Sequence, residues 1–259
     1  MLGETLVWNA AAIGILMLAT WIVSIPLRNV SIVDFVWGMG FVIVGWITYG
    51  LSVSTYSTTQ LLLPCLTTIW GVRLTLYLVW RNSGQPEDKR YVSMRNSRGE
   101  SFWWQSLFTV FLLQGVVMWV VSLPLQAGIA NHQAGWTLLT IAGLMLWGIG
   151  LSFESIGDWQ LARFRSNPEN EGKVLQSGLW KYTRHPNYFG DFCVWWGIYL
   201  IAIAHGENYW TAIGPIVMSI FLMQISGVRL LEKSLSQDKP EYAEYARRTN
   251  AFFPGPQRT

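Results

Sequence analysis

Charge is scarce in this 259-residue sequence: Asp, Glu, Lys and Arg make up only 13% of it, about half of the roughly 25% usual in soluble domains. That scarcity excludes a disordered chain, a coiled coil and an ordinary soluble enzyme. Cysteine is nearly missing. Cys65 and Cys193 both fall in apolar runs without metal-ligand spacing, and one possible pair makes no disulfide framework, so both read as packing thiols. The formal net charge is only +3, which gives nucleic-acid binding no support. No internal repeat or low-complexity stretch is evident, which weakens an inverted-repeat transporter. A glycine-rich dinucleotide loop of the soluble type is also lacking.

What the sequence does have is apolar length. Apolar residues make up 51% of it and there are 16 Trp. Seven runs stand out, Leu6–Leu27, Phe35–Leu51, Leu61–Trp80, Leu107–Leu125, Ala134–Phe153, Pro186–Ala204 and Trp210–Leu231. A spanning helix needs about 20 apolar residues, and the runs are continuous, not alternating, which argues against a sheet barrel. The first run has no preceding Lys or Arg and reads as a true span, not a cleavable signal. The expectation is an all-α integral membrane bundle of seven transmembrane helices. Seventeen of the eighteen basic residues fall on alternate connections or at the end of the seventh run and in the tail after it, and the intervening connections carry none. By the positive-inside rule the N-terminus lies outside and the C-terminus in the cytoplasm. The long polar segments 81–106 and 154–185, and the tail after 231, then face the cytosol.

Polar residues inside spans usually have a purpose. Arg73, Tyr77 and Arg81 lie four apart on span three, and Asn187, Asp191 and Trp195 do the same on span six. Glu154, Asp158 and Arg165 share a face if helix five continues past its apolar run. Four residues overshoot a full helical turn by only about 40°, so each stripe is narrow. Facing one another, the stripes build a polar cavity at the cytoplasmic end of the bundle. Arg81 alone suits a snorkelling role, whereas Arg73 lies about 12 Å inside the span. Glu154 and Asp158 alone could be a solvated helix edge, Asp34 a helix N-cap, and segment 87–91 a solvated loop.

The densest feature is 177–191, SGLWKYTRHPNYFGD. Pro186 suits the first turn of a helix, whose free N–H groups favour an anion, with Arg184 adding charge. His185 has a capping or orienting role at least as readily as a catalytic one, and His132 and His205 read as plain residues of outer connections. In the tail, 240–254 suits a short helix over the cytoplasmic mouth, with Arg247 and Arg248 near lipid headgroups or a phosphate.

Taken together, these residues resemble the membrane steroid 5α-reductase and sterol reductase superfamily, in particular its bacterial steroid 5α-reductase-like branch. GLW…RHPNY…GD is similar to the superfamily signature, Glu154…Asp158…Arg165 to its cofactor face, WGVRLTLYLVWR to its Arg-and-Tyr helix, and EDKRY to a run of the bacterial branch. The resemblance implies a single membrane domain over 1–259, with 34–106 forming the N-terminal part of the pocket and 150–259 carrying the cofactor site. It implies NADPH held from the cytosolic side by Arg73, Glu154, Asp158, Arg165, Asn187, Tyr188, Asp191 and Trp195, with Arg90, Tyr91 and Tyr245 as further candidates. The reaction implied is reduction of a C=C bond conjugated to a carbonyl in a lipophilic, steroid- or isoprenoid-like molecule entering from lipid. Asp34 takes the position of the family's substrate-holding Glu, and Tyr77 is the candidate acid. The Tyr position three residues before Arg73 is Trp70 here, a departure that bears on steroid reduction. No metal, nucleic acid or obligate protein partner is expected, and the location implied is a bacterial inner membrane. RHP-Y-G and LLEKSL are equally similar to S-adenosylmethionine-dependent methyltransferases of the isoprenylcysteine carboxyl type. A non-enzymatic lipid-binding or transport protein is the third reading.

Overall fold

The computed structural model describes residues 2–52, 60–131, 135–225, 228, 232 and 241–258. His132, Arg229, Lys233, Lys239, Pro240 and the end of the seventh run at Leu231 lie outside them. Every regular element among the described residues is helical: α1 (Leu2–Leu27), α2 (Val33–Ser52), α3 (Leu62–Asn82), α4 (Lys89–Arg98), α5 (Phe102–Ser106), α6 (Leu113–Val121), α7 (Leu123–Ala130), α8 (Leu138–Arg165), α9 (Pro186–Ala202), α10 (Ile213–Ile220) and α11 (Glu241–Arg248), with short 3-10 turns and two π-helical turns between them. Five helical stretches are long and apolar enough to cross a membrane: Leu2–Leu27, Val30–Ser52, Leu62–Asn82, Lys89–Val121 and Leu138–Arg165. This is a multi-pass membrane protein. The sixth and seventh expected runs correspond to α9, 17 residues long, and to the shorter apolar stretch Tyr209–Ile225. Both fall short of about 20 residues.

The chain forms two compact units, Met1–Trp136 with His205–Ile213, and Thr137–Ala204 with Gly214–Thr259. In the first unit α1 turns its polar and small residues inward. Thr5, Asn9, Thr20 and Ser24 are buried, while Val7, Trp8, Ile15 and Ile22 are exposed. Lipid is as apolar as Leu, so burial in a membrane selects for close packing and internal hydrogen bonds, not for greasiness. Asn9 donates to Thr48 Oγ1 at 2.7 Å and to Gln126 Oε1 at 2.9 Å, tying α1 to α2 and α7. Gln126 donates in turn to Ser122 Oγ at 2.8 Å. Helices α2 and α3 touch backbone to backbone where Gly38 and Gly71 meet, and a Cβ on either would enter the other's carbonyl.

The segment read as a solvated loop is ordered by its charges. Helix starts at Lys89, not near Leu107, because Asp88 caps it through the Arg90 N–H at 2.8 Å. Glu87 accepts from the Val30 N–H at 2.6 Å and from both Nε and NH2 of Arg95 at 3.0 and 2.9 Å. Asp88 N–H donates to Ser31 Oγ at 2.8 Å. The run EDKRY is thus a latch between the start of α2 and the start of α4.

In the second unit α8 and α9 pack along a glycine seam. Gly143, Gly150 and Gly157 recur every seven residues on α8 and face Gly197, Gly190 and Pro186 on α9. A Cβ at Gly143 would lie 2.7 Å from the Gly197 carbonyl oxygen, and one at Gly150 would lie 2.6 Å from that of Gly190. Thr137 and Thr140 form a capping box that starts α8, which continues to Arg165 as the shared-face reading of Glu154, Asp158 and Arg165 requires.

Candidate functional site

The seam fixes the geometry of the polar face in the second unit. Gly190 has no side chain, so the backbone of α9 lies against Glu154, and Gly157 lets the start of α9 approach α8 at Pro186 and Asn187. Glu154 and Asp158 are each 3% exposed. Asn187 donates from Nδ2 to Asp158 Oδ1 at 3.1 Å, and its own Oδ1 accepts from the Tyr188 N–H at 3.1 Å. Asp191 follows one turn deeper, half-buried, and Trp195 another turn on, fully buried. Arg165, two turns beyond Asp158 on the same face, is exposed. Two helices therefore bring three carboxylates and an amide to one strip whose base is bare backbone.

The neighbouring signature residues do different work. Pro186 opens α9 as expected, but Arg184 is not left to meet an anion there. Its guanidinium donates to Glu232 Oε1 at 2.7 Å, to the Thr249 carbonyl at 2.9 Å and to the Ala246 carbonyl. His185 Nε2 lies 3.4 Å from the same Glu232 oxygen, and its ring stacks on Tyr188, centroids 5.6 Å apart. These contacts fix the His185 ring in place. Burial alone would raise the Glu232 carboxyl, but hydrogen bonds from His185 and Arg184 more than offset it and hold it below the usual carboxylate range. Tyr245 is 2% exposed and donates to the Trp180 carbonyl at 2.6 Å, so its phenol tethers the tail. Burial pushes the nearby Tyr242 phenol up to about 12. Arg247 and Arg248, expected to face a headgroup or phosphate, both pair with Glu244.

In the first unit the α3 stripe stacks as its spacing requires: the Tyr77 ring lies between the guanidinium groups of Arg73 and Arg81, 5.4 and 5.5 Å from its centroid. Trp70 is fully buried and packs edge-on to Phe41 at 5.7 Å, so the residue at the position where the resembled superfamily has Tyr is a core side chain. Asp34 is no simple helix cap. It accepts from Tyr91 OH at 3.4 Å and lies 3.7 Å from Arg90 NH2. Arg90 also makes a two-point contact with Asp88 at 3.0 and 3.1 Å. Burial raises the Asp88 carboxyl, and the hydrogen bonds from Arg90 outweigh that and leave it lowered.

The sequence reading missed three of these features. The seven-residue glycine spacing was its own signal. The Arg184–Glu232 clamp joins residues 48 apart and had none. The Asn9–Thr48–Gln126 network gave only the hint of amides within apolar runs. Among the described residues, no group of three or more His, Cys, Asp or Glu is placed to hold a metal ion.

Residues 20–249 match the family described as protein of unknown function (DUF1295). An uncharacterized protein, C594.04c of Schizosaccharomyces pombe (strain 972 / ATCC 24843), is 25% identical across 90% of this chain and 75% of its own length. The nickel-cobalt-cadmium resistance protein NccN of Alcaligenes xylosoxydans xylosoxydans is 28% identical over 54% of this chain. The cobalt-zinc-cadmium resistance protein CzcN of Cupriavidus metallidurans (strain ATCC 43123 / DSM 2839 / NBRC 102507 / CH34) is 30% identical over 54%. The alignments cover 63% and 61% of those two proteins, under two thirds of each. No solved structure matches this chain.

Proposed function

This chain belongs to the DUF1295 family, and on that footing we propose that it is a membrane oxidoreductase that uses NADPH to reduce a C=C bond conjugated to a carbonyl in a lipophilic molecule. The observation that carries this reading is the Asn187–Asp158 hydrogen bond across the glycine seam, with Glu154 and Asp191 on the same strip. Buried carboxylates in a membrane helix are expensive and are retained where they bind something.

The donor set fits a dinucleotide. Carboxylates of Glu154, Asp158 and Asp191 accept from ribose hydroxyls, the Asn187 amide both donates and accepts as a carboxamide requires, and Arg165 offers charge to a phosphate. Trp195 and Tyr188 supply aromatic faces. Tyr245, whose phenol is already donated, is left to hold the tail. NADPH, when bound, supplies the hydride. The remaining chemistry falls to the chain: a group must polarise the substrate carbonyl and deliver a proton. The resemblance gives that task to Asp34 and Tyr77; within the first unit Asp34 pairs with the Tyr91 phenol and the Tyr77 ring lies near two guanidinium groups. The Trp70 indole is a poor proton source, which points away from steroids as such and towards another lipophilic enone. The substrate enters from lipid, and by the distribution of Lys and Arg the site faces the cytoplasm of a bacterial inner membrane.

A second reading, methyl transfer from S-adenosylmethionine, is supported by one contact. Glu232 of LLEKSL meets Arg184 and His185 of the RHPNY segment, so residues from the two stretches similar to those methyltransferases come together. The test is NADPH oxidation by purified protein in lipid with a panel of steroid and isoprenoid enones. Wild type consumes NADPH with at least one of them. Tyr91→Phe and Tyr77→Phe identify the acid by which of them lowers kcat about 100-fold or more. Full activity in both variants removes the phenol mechanism, and no turnover with any enone counts against the reductase.

A further inference from the structure

A second site lies in the same unit, on the side of α8 turned away from Glu154 and Asp158. Gln160 and Arg163 stand about 200° and about 140° round the helix from Asp158. With the loop that follows α8 they border a groove of about 350 Å³. Its apolar wall is Trp159, Phe164 and Leu175. On its polar wall two amides have their oxygen engaged by backbone N–H groups. Gln160 Oε1 accepts from the Leu179 N–H at 3.0 Å, and Asn167 Oδ1 accepts from the Glu169 N–H at 3.0 Å. Those bonds fix the amide orientations and leave both NH2 groups as the available donors. Asn170 is the exception, since its Nδ2 goes to the Phe164 carbonyl at 2.9 Å. Arg163 lies over the Trp159 ring at 5.5 Å and adds charged donors, and Ser177 adds a hydroxyl.

The arrangement is built, not incidental. Gly178 has φ +62, and the Gln160 amide occupies the place that a Cβ there would take. The loop closes on Gln160 only because residue 178 is glycine.

A groove with one apolar wall and one donor-rich, cationic wall suits an acidic oxygen cluster attached to something greasy. Its position agrees. The 28 residues of α8 rise about 42 Å against a hydrocarbon core of about 30 Å. With Leu138 at one boundary, the last two turns stand in the headgroup layer whichever way the helix runs. We infer that this groove binds a phosphate group, presented by the headgroup of a membrane lipid or free in solution, through Arg163 and the amide NH2 groups of Gln160 and Asn167. The inference is independent of the reductase reading.

The test uses the full chain purified in detergent, titrated with dioctanoyl phosphatidic acid, dioctanoylglycerol and inorganic phosphate, with binding read by native mass spectrometry. Asn167→Asp keeps the oxygen that caps the Glu169 N–H but replaces the NH2 donor with an anionic oxygen. Arg163→Gln removes the charge at an exposed position. Phosphatidic acid is expected to bind wild type, with affinity at least tenfold lower in each variant while the melting temperature holds. Dioctanoylglycerol, which lacks the phosphate, is expected to bind at least tenfold more weakly. Displacement of phosphatidic acid by equimolar inorganic phosphate assigns the site to the free ion, and failure to displace it assigns the site to lipid. Unchanged phosphatidic acid affinity in both variants, or equal binding of dioctanoylglycerol, overturns the inference.

Discussion

The two units bury polarity in opposite ways. The first buries neutral groups, Asn9, Thr48, Gln126 and Ser122, and joins them to one another across three helices. The second buries carboxylates, Glu154 and Asp158, beside a seam of bare backbone. Neutral amides and hydroxyls bonded together in lipid act as modest glue, about 0.6–1.7 kcal/mol per contact. Carboxylates cost far more to bury and are poor glue. Membrane packing therefore explains the first set by itself, whereas the proposed cofactor reading rests on the second.

The comparison can be broken most severely at the seam. Gly150→Leu would drive a side chain into the Gly190 carbonyl, where only backbone movement relieves the clash. A loss of about 3 kcal/mol or more is expected, read as a fall of about 6–12 °C in melting temperature together with loss of any activity. An unshifted melting temperature would mean the seam does not set the site.

Next comes the clamp. Arg184→Gln leaves the Glu232 carboxylate and two tail carbonyls short of their donor, at a cost of about 2–3 kcal/mol, and protease should then cut the tail faster. The clamp is also pH-dependent. The Glu232 carboxyl sits lower in the folded than in the unfolded chain, so the unfolded chain binds the extra proton and stability rises with pH through that window. The contribution is complete above the ordinary carboxylate range and disappears as acid titrates through the lowered folded value. The stability gap between wild type and Glu232→Gln should thus be full at pH 7 and narrow as the pH falls below the ordinary carboxylate range. A gap that widens in acid would contradict the assignment.

The smallest effect belongs to the neutral network. Asn9→Leu should cost about 1–2 kcal/mol and leave nucleotide binding unchanged, measured by melting temperature with and without NADPH. Loss of the NADPH response in this variant would erase the distinction between the units.

Much of the helical layout was legible because hydropathy alone marks α1, α2, α3 and the body of α8. The start of the fourth span was not. Residues 89–101 are polar, and what makes them helical is the Asp88 cap together with the bonds that anchor Glu87 and Asp88 to Val30 and Ser31, 57 residues away and outside any local window. The geometry of the candidate site was legible where polar residues repeat at helical spacing, as in Glu154–Asp158 and Asn187–Asp191. It was illegible where one residue had two possible partners. Arg184 reads as an anion ligand beside the α9 N-terminus, yet the tail supplies a carboxylate and two carbonyls that hold it. The EDKRY charges look solvated for the same reason: their partners, Val30, Ser31 and Asp34, are 57 residues or so away.

The most direct test of the central claim is the melting temperature of purified protein with saturating NADPH, NADH and S-adenosylmethionine, in wild type and Asn187→Leu. At about 100 times its Kd a ligand adds roughly 2.7 kcal/mol, or about 5–10 °C in a chain of this size. NADPH should give that shift in wild type and little in Asn187→Leu. Stabilisation by S-adenosylmethionine alone, or an NADPH shift that survives in Asn187→Leu, would contradict the account.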